Sequence, residues 1–192
     1  MKRHLMRLLS ILLILSLVLG SGQTVQTSYA VTSGACGDKL TWVLDGGTLT
    51  ISGTGPMDDY NTGKEQPWNS ELNTIKTVVI EDGVTYIGKL AFASCHSLEN
   101  VTIPGNVDSI GMDAFFNCTA LESVTIGEGV GQIENMAFMK CEALESVTIP
   151  GSVKSINRSA FQNCTALESV TIEEGVESIG NSAFSYCGSL PA

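Results

Sequence analysis

The sequence predicts an α/β repeat solenoid, with short parallel strands and short helical turns behind an N-terminal β-hairpin cap. Three observations carry that prediction. The nonapeptide CTALESVTI stands at 118–126 and again at 164–172, and its relative CEALESVTI stands at 141–149. Blocks of 23 residues then align without a gap over 76–98, 99–121, 122–144, 145–167 and 168–190. Inside the blocks, an alternating Val-Thr-Ile triplet, Val-Val-Ile in the first, is followed by apolar residues at helix-like spacing. A period this strict marks units that bury their apolar faces only against their neighbours.

Residues 1–30 read as a signal peptide. Lys2, Arg3 and Arg7 precede an apolar run from Leu8 to Leu19, and small residues at Ser28 and Ala30 suit cleavage after Ala30. The run is about a dozen residues, short of the ~20 that a spanning helix needs. Residues 31–75 do not fit the period and read as the cap. Leu40, Trp42 and Leu44 alternate with polar residues, Asp45-Gly46-Gly47 turns the chain, and Leu49 and Ile51 alternate again. That is a hairpin signal. The stretch from Ser52 to Trp68 reads as loop.

Residues 76–190 form five repeats of 23 residues. Val124-Thr125-Ile126 is the model strand, with Val and Ile inward and Thr outward. Stacked copies place such strands in a parallel ladder about 4.8 Å apart. Gly or Pro then turns the chain, and Val130 and Ile133 return to the core. Ala114, Phe115, Cys118 and Leu121 fall at offsets 0, 1, 4 and 7, which predicts one face of a short helix. Asp113, Ser159 and Ser182 stand just ahead of that face, where they would cap free N–H groups. Phe stands at 92, 115, 138, 161 and 184, and Cys at 95, 118, 141, 164 and 187. Each copy fills the same slot.

The pattern I-G-x-x-A-F-x-x-C-x-x-L-x-x-V-T-I-P-x-x-V resembles the BspA-like leucine-rich repeats of bacterial surface proteins. Ile110-Gly111, Ala114-Phe115, Cys118, Leu121, Val124-Thr125-Ile126 and Val130 carry the resemblance. Glu134 and Asn157 replace the Gly of the Ile-Gly pair, and Glu81, Gly127 and Glu173 replace Pro. The resemblance implies a leucine-rich-repeat fold and a secreted or cell-surface protein, with adhesion to host matrix proteins or other bacteria as one role. It implies no catalytic residues.

Charge narrows the partners. The full chain carries a formal net charge of −10, and residues 31–192 keep seven basic residues against twenty acidic ones, a net −13. Such a surface repels nucleic acid and anionic lipid, so neither is an expected partner, and no membrane insertion is expected after signal cleavage. Six cysteines in an exported chain would ordinarily suggest disulfides. Five of them share one column with parallel side-chain vectors, which bridging does not tolerate. They read as buried free thiols acting as small apolar fillers, with Cys36 the most exposed. A column spreads ligands along a line instead of converging them, so no metal and no cofactor is expected. His96 beside Cys95 is a poor catalytic dyad, because that thiol belongs to the buried column. Asp59-x-Asn61-x-Gly63-x-Glu65 is a weak calcium-loop match, since Lys64 stands where that loop needs Gly. The chain is not expected to be an enzyme.

The outward strand face is the candidate binding surface. Its columns are Glu99, Glu122, Glu145 and Glu168; Asn100, Ser123, Ser146 and Ser169; and Thr102, Thr125, Thr148 and Thr171. Uniform columns without aromatic anchors fit either no ligand or a repetitive one, such as a glycan or a fibrous protein. Phe116 and Met139 offer a second contact patch if exposed. The partners expected are host or bacterial surface proteins or glycans. The alternative is a structural spacer, or part of a larger surface protein, that self-associates through the C-terminal edge strand at 168–172.

Overall fold

The computed structural model describes residues 31–190. The signal-peptide reading falls on residues 1–30 and lies outside them, as does Pro191.

Three antiparallel strands open the chain: β1 (Thr32–Gly37), β2 (Leu40–Asp45) and β3 (Thr48–Gly53). β2 and β3 pair from Leu40↔Gly53 to Asp45↔Thr48, so the chain reverses on Gly46-Gly47. Both glycines have positive φ, 55° and 86°, as a two-residue hairpin turn of this hand requires. Leu40, Trp42 and Leu44 are buried and the residues between them exposed, as the alternation predicts. β1 was not legible in the sequence, because its small residues carry no apolar period.

Past the hairpin the fold is a stack of coils with two parallel ladders. The first comprises β3, β5 (Thr77–Ile80), β7 (Asn100–Ile103) and β9 (Ser123–Ile126), continued by β11 (Ser146–Ile149) and β13 (Ser169–Ile172). The second comprises β4 (Gly55–Pro56), β6 (Val84–Ile87), β8 (Ser109–Ile110), β10 (Gln132–Ile133), β12 (Ser155–Ile156) and β14 (Ser178–Ile179). Between the repeats, paired residues are 23 apart, as in Val101↔Val124 and Ile110↔Ile133, while the cap strand β3 meets β5 at a different offset, as in Leu49↔Val78. The predicted inward returns at Val130 and Ile133 thus bring a second sheet with them.

The predicted helical turn does not form. The only helix among the described residues is the single 3-10 turn Asn69–Glu71. The Ala-Phe-x-x-Cys-x-x-Leu segment is instead a run of turns. Two of its residues per coil are left-handed, at φ between 57° and 63°: Leu90 and Ser94, Asp113 and Asn117, Met136 and Lys140, Ser159 and Asn163, Ser182 and Tyr186. Asp113, Ser159 and Ser182 are therefore not helix caps. They are the residues where the chain changes hand, and the N–H of Asp113 donates to Asn135 O of the next coil at 3.1 Å. Offsets 0, 1, 4 and 7 suit a helix as well as this corner, so periodicity could not separate the two. Neighbouring coils decide it: alternate N–H groups reach the coil above, at Phe92 N to Ala114 O, Phe115 N to Ala137 O and Phe138 N to Ala160 O, 2.7–2.8 Å. A helix would spend those donors on itself.

The core is a set of stacked columns. Phe92, Phe115, Phe138 and Phe161 are fully buried, with ring centroids 5.1 Å apart and planes within 18°. All six cysteines are free and buried. In four coils the thiol does more than fill space. Sγ of Cys118, Cys141, Cys164 and Cys187 donates to the Phe carbonyl of the coil below at 3.2–3.4 Å. Burial pushes the Cys95 thiol up to about 12 and holds the Cys118 and Cys141 thiols above the ordinary range, so those two donors stay protonated. Cys36, expected at the surface, is fully buried in the cap, and burial pushes it up to about 12 as well.

Candidate functional site

The strand face is set by the pleat. In β7, β9 and β11 the burial alternates exposed, buried, exposed, buried, which sends Val and Ile inward and Ser, Asn and Thr outward. Of the twelve candidate residues, eleven are exposed: Asn100, Thr102, Glu122, Ser123, Thr125, Glu145, Ser146, Thr148, Glu168, Ser169 and Thr171. Glu99 is half-buried, with its carboxylate 3.6 Å from Lys76 Nζ. The pair is solvent-exposed and contributes little stability.

The structure brings these residues into straight rows. Thr102 pairs with Thr125, Asn100 with Ser123, Ser146 with Ser169 and Thr148 with Thr171. Ser123 Oγ donates to Asn100 Oδ1 at 2.6 Å, so neighbouring coils are tied across the face. The glutamates run beside these rows about one strand spacing apart, roughly 4.8 Å. With one lysine at the first coil, the rest of that column is uncompensated. The face offers hydroxyls, amides and carboxylates in a repeating array, and no ring to stack on.

Sequence reasoning stopped this face at the repeats, but the cap extends it. Val43 pairs with Thr50, Thr50 with Val79 and Val79 with Thr102, so the threonine row runs back across the hairpin. Val43 and Val79 are each 39% exposed there. The signal was present: Leu49 and Ile51 have the same spacing as Val78 and Ile80. The missing period hid it.

The cap also ends the stack chemically. Each corner sends N–H donors upward and leaves carbonyl acceptors below. At the first coil those acceptors are taken, since Tyr60 N donates to Lys89 O at 3.0 Å and Trp68 Nε1 to Ala91 O at 3.2 Å. The amide of Gln66 reaches Leu90 O. Trp68 stacks on Phe92 at 5.5 Å and 14°, occupying the slot that Phe fills in later coils. The stretch read as loop thus contains the residue that seals the column. At the other end, Val170 and Val176 are partly buried, while Ile172 and Ile179 are 39% and 53% exposed.

The remaining sequence candidates resolve simply. His96 is exposed, with Nδ1 3.5 Å from Thr119 Oγ1, while Cys95 is buried and protonated, so the two do not form a reactive dyad. Asp59 Oδ1 accepts from Tyr86 OH at 3.0 Å and Lys89 N at 2.7 Å, and Glu65 accepts from Asn61 N at 2.8 Å, so these acids hold the loop itself. Phe116 and Met139 are half-buried, and Lys140 Nζ lies 5.7 Å from the Phe116 ring centre. No helix among the described residues is long and apolar enough to cross a membrane.

Comparison with known proteins agrees with this geometry. A family model described as a BspA type leucine rich repeat region matches residues 69–191 in six copies, starting beside Trp68. A leucine-rich repeat protein from Eubacterium ventriosum is 29% identical over 80% of this chain and 45% of its own length, with a TM-score of 0.65. A leucine rich cell surface protein from Faecalibacterium prausnitzii is 25% identical over 84% of this chain and 54% of its own, with a TM-score of 0.57. A leucine-rich repeat protein from Bacteroides ovatus is 27% identical over 80% and 45%, with a TM-score of 0.58. The chain spans about half the length of these solved relatives. No curated protein matches the sequence. The stacked phenylalanines, the paired strand rows and the family match over most of the repeats together place the chain in the BspA-type leucine-rich-repeat family.

Proposed function

We propose that the chain is a secreted or cell-surface binding module whose strand face engages a repetitive partner, a glycan or a fibrous protein of host or bacterial origin, in an adhesive role. The observation that carries this reading is the array itself: eleven exposed polar side chains in aligned rows, held in register from β7 to β9 and from β11 to β13. A preorganised array lowers the ordering cost of binding, and identical weak contacts add along a repeating ligand. Export rests on the basic-apolar-small pattern of residues 1–30. The acidic face disfavours anionic polymers and favours neutral or basic ones.

The test is binding of purified residues 31–192 to arrays of matrix proteins, mucins and glycans, beside a variant carrying Glu122→Lys, Glu145→Lys and Glu168→Lys. Saturable binding by the wild type that the variant loses supports the reading. Binding retained by the variant moves the site off this face, and no binding by the wild type favours the alternative.

That alternative is a structural spacer, or part of a larger surface protein, with no ligand of its own, self-associating through the edge strand at 168–172, where Ile172 is exposed. Light scattering over a range of concentrations separates a pair from a monomer or an open polymer.

A further inference from the structure

The turns that follow the first-ladder strands alternate in kind. The first, third and fifth repeats have Glu81-Asp82-Gly83, Gly127-Glu128-Gly129 and Glu173-Glu174-Gly175, where the last glycine has φ of 110°, 117° and 120°. The second and fourth have Pro104-Gly105-Asn106 and Pro150-Gly151-Ser152. The two kinds pack in pairs. A Cβ on Gly105 would overlap Glu128 O, and one on Gly129 would overlap Gly105 O; Gly151 and Gly175 lock together in the same way, against Glu174 O and Gly151 O. At the cap, a Cβ on Gly83 would overlap Gly53 O.

The strand ladder follows the same pairing. Glu81 N donates to Ile51 O at 3.0 Å, Gly127 N to Ile103 O at 2.8 Å and Glu173 N to Ile149 O at 3.0 Å. Each closes a ladder in which all four residues pair: β3 with β5, β7 with β9, and β11 with β13. Pro104 and Pro150 have no N–H to close the ladder beneath them. Beneath Pro104, β5 and β7 pair at only three positions, ending at Val79↔Thr102. Beneath Pro150, β9 and β11 lie side by side without ladder pairing. The bond that Glu99, Glu122 and Glu168 each send to the coil below, 2.8–2.9 Å, is not made by Glu145. Val124 and Ile126, on the lower side of this seam, are 9% and 8% exposed, against 2% and 0% for Val101 and Ile103.

The other two sides of the stack run through the same seam intact. Gln132 pairs with Ser155 and Ile133 with Ile156. Met136 N, Phe138 N and Lys140 N bond the coil above at 2.8–3.0 Å, and Phe138 stacks on Phe161 at 5.1 Å.

We infer that the structural unit of this solenoid is two coils, 46 residues, and that the seam between Ile126 and Pro150 is a hinge that opens on the strand face while the corner and second ladder hold. Opening there separates Ser123 and Thr125 from Ser146 and Thr148, so the exposed array can change its curvature without losing its core. The inference rests on the backbone and stands whether or not that face binds a ligand.

Amide hydrogen exchange on residues 31–192 tests it. Seam-facing amides over 145–149 are expected to exchange at least tenfold faster than the corresponding amides over 122–126. Pro150→Glu supplies the missing donor, as Glu173 does one coil on, and is expected to slow seam exchange at least threefold. Pro104→Glu, at the seam that keeps three pairs, is expected to change exchange less. Equal protection at the two stretches overturns the inference, whether or not the Pro150→Glu variant folds. So does unchanged seam exchange in a folded Pro150→Glu variant.

Discussion

Phe138→Ala should destabilise the protein by about 3–5 kcal/mol. Phe138 is fully buried, with Phe115 below and Phe161 above, each at 5.1 Å and with planes within 8°. A buried aromatic side chain removes roughly 150–250 Å² from water, worth about 4–6 kcal/mol at ~25 cal/mol per Å². Alanine keeps a small part of that, and coils tied by the second ladder and the corner hydrogen bonds cannot collapse into the gap. Phe184 has one stacking neighbour, at 5.2 Å, and is only partly buried. Phe184→Ala should therefore cost about 1–2 kcal/mol on the same area reckoning. The assay is urea unfolding of residues 31–192, followed by circular dichroism and Trp fluorescence. Coincidence of the two signals checks that the stack unfolds as one unit. A double-mutant cycle with Phe115→Ala should show coupling of about 0.5–1.5 kcal/mol. Equal costs at Phe138 and Phe184, or zero coupling, would refute the claim that the aromatic column is the spine of the fold.

Three other perturbations follow from the same geometry. Trp68→Phe keeps the stack on Phe92 but strands Ala91 O, so it should lower stability by about 1–3 kcal/mol in the same unfolding assay, and less than Trp68→Ala does. Alkali should unfold the protein: the Cys36 and Cys95 thiols are raised from 9.0 to about 12 in the folded state. Because the folded value is the higher one, this stability is complete below pH 9 and is lost between pH 9 and 12, at about 1.4 kcal/mol per pH unit for each such thiol. Replacing Cys95 by Ala should flatten a plot of unfolding free energy against pH in that window. Gly129→Ala places a Cβ at φ 117° against Gly105 O, so it should cost about 1–3 kcal/mol by urea titration. Gly46→Ala, where nothing lies within 4 Å, should cost only about 1–2 kcal/mol of left-handed strain.

Most of the fold was legible because a repeat states its own contacts. Residues 23 apart had to stack, so the columns of Phe, Cys, Val, Ile and Leu, the parallel strands and the outward Ser-Thr rows could all be read from spacing. The hairpin was legible from alternation around two glycines. The corner was not. Ala, Phe, Cys and Leu at helical offsets satisfy a helix and a chain of turns equally, and only the presence of a coil above, offering carbonyls to Phe92 N and Phe115 N, selects the turns.

How the cap seals the stack was not legible, for a related reason. Trp68 performs the task of Phe outside the period, and Tyr60 and Trp68 matter for the donors they bring to Lys89 O and Ala91 O. That role exists only once a first coil has left those acceptors open. Cys36, lone in sequence, lies in β1, which pairs beside β2 and places the thiol in the core, a pairing no local pattern announces. The sequence by itself therefore determined which residues share a column and which face water, since both follow from period and pleat. The tertiary structure decided how each coil satisfies its backbone, where the stack is sealed and where its strand face opens, since a hydrogen bond between coils depends on two chain segments arriving together.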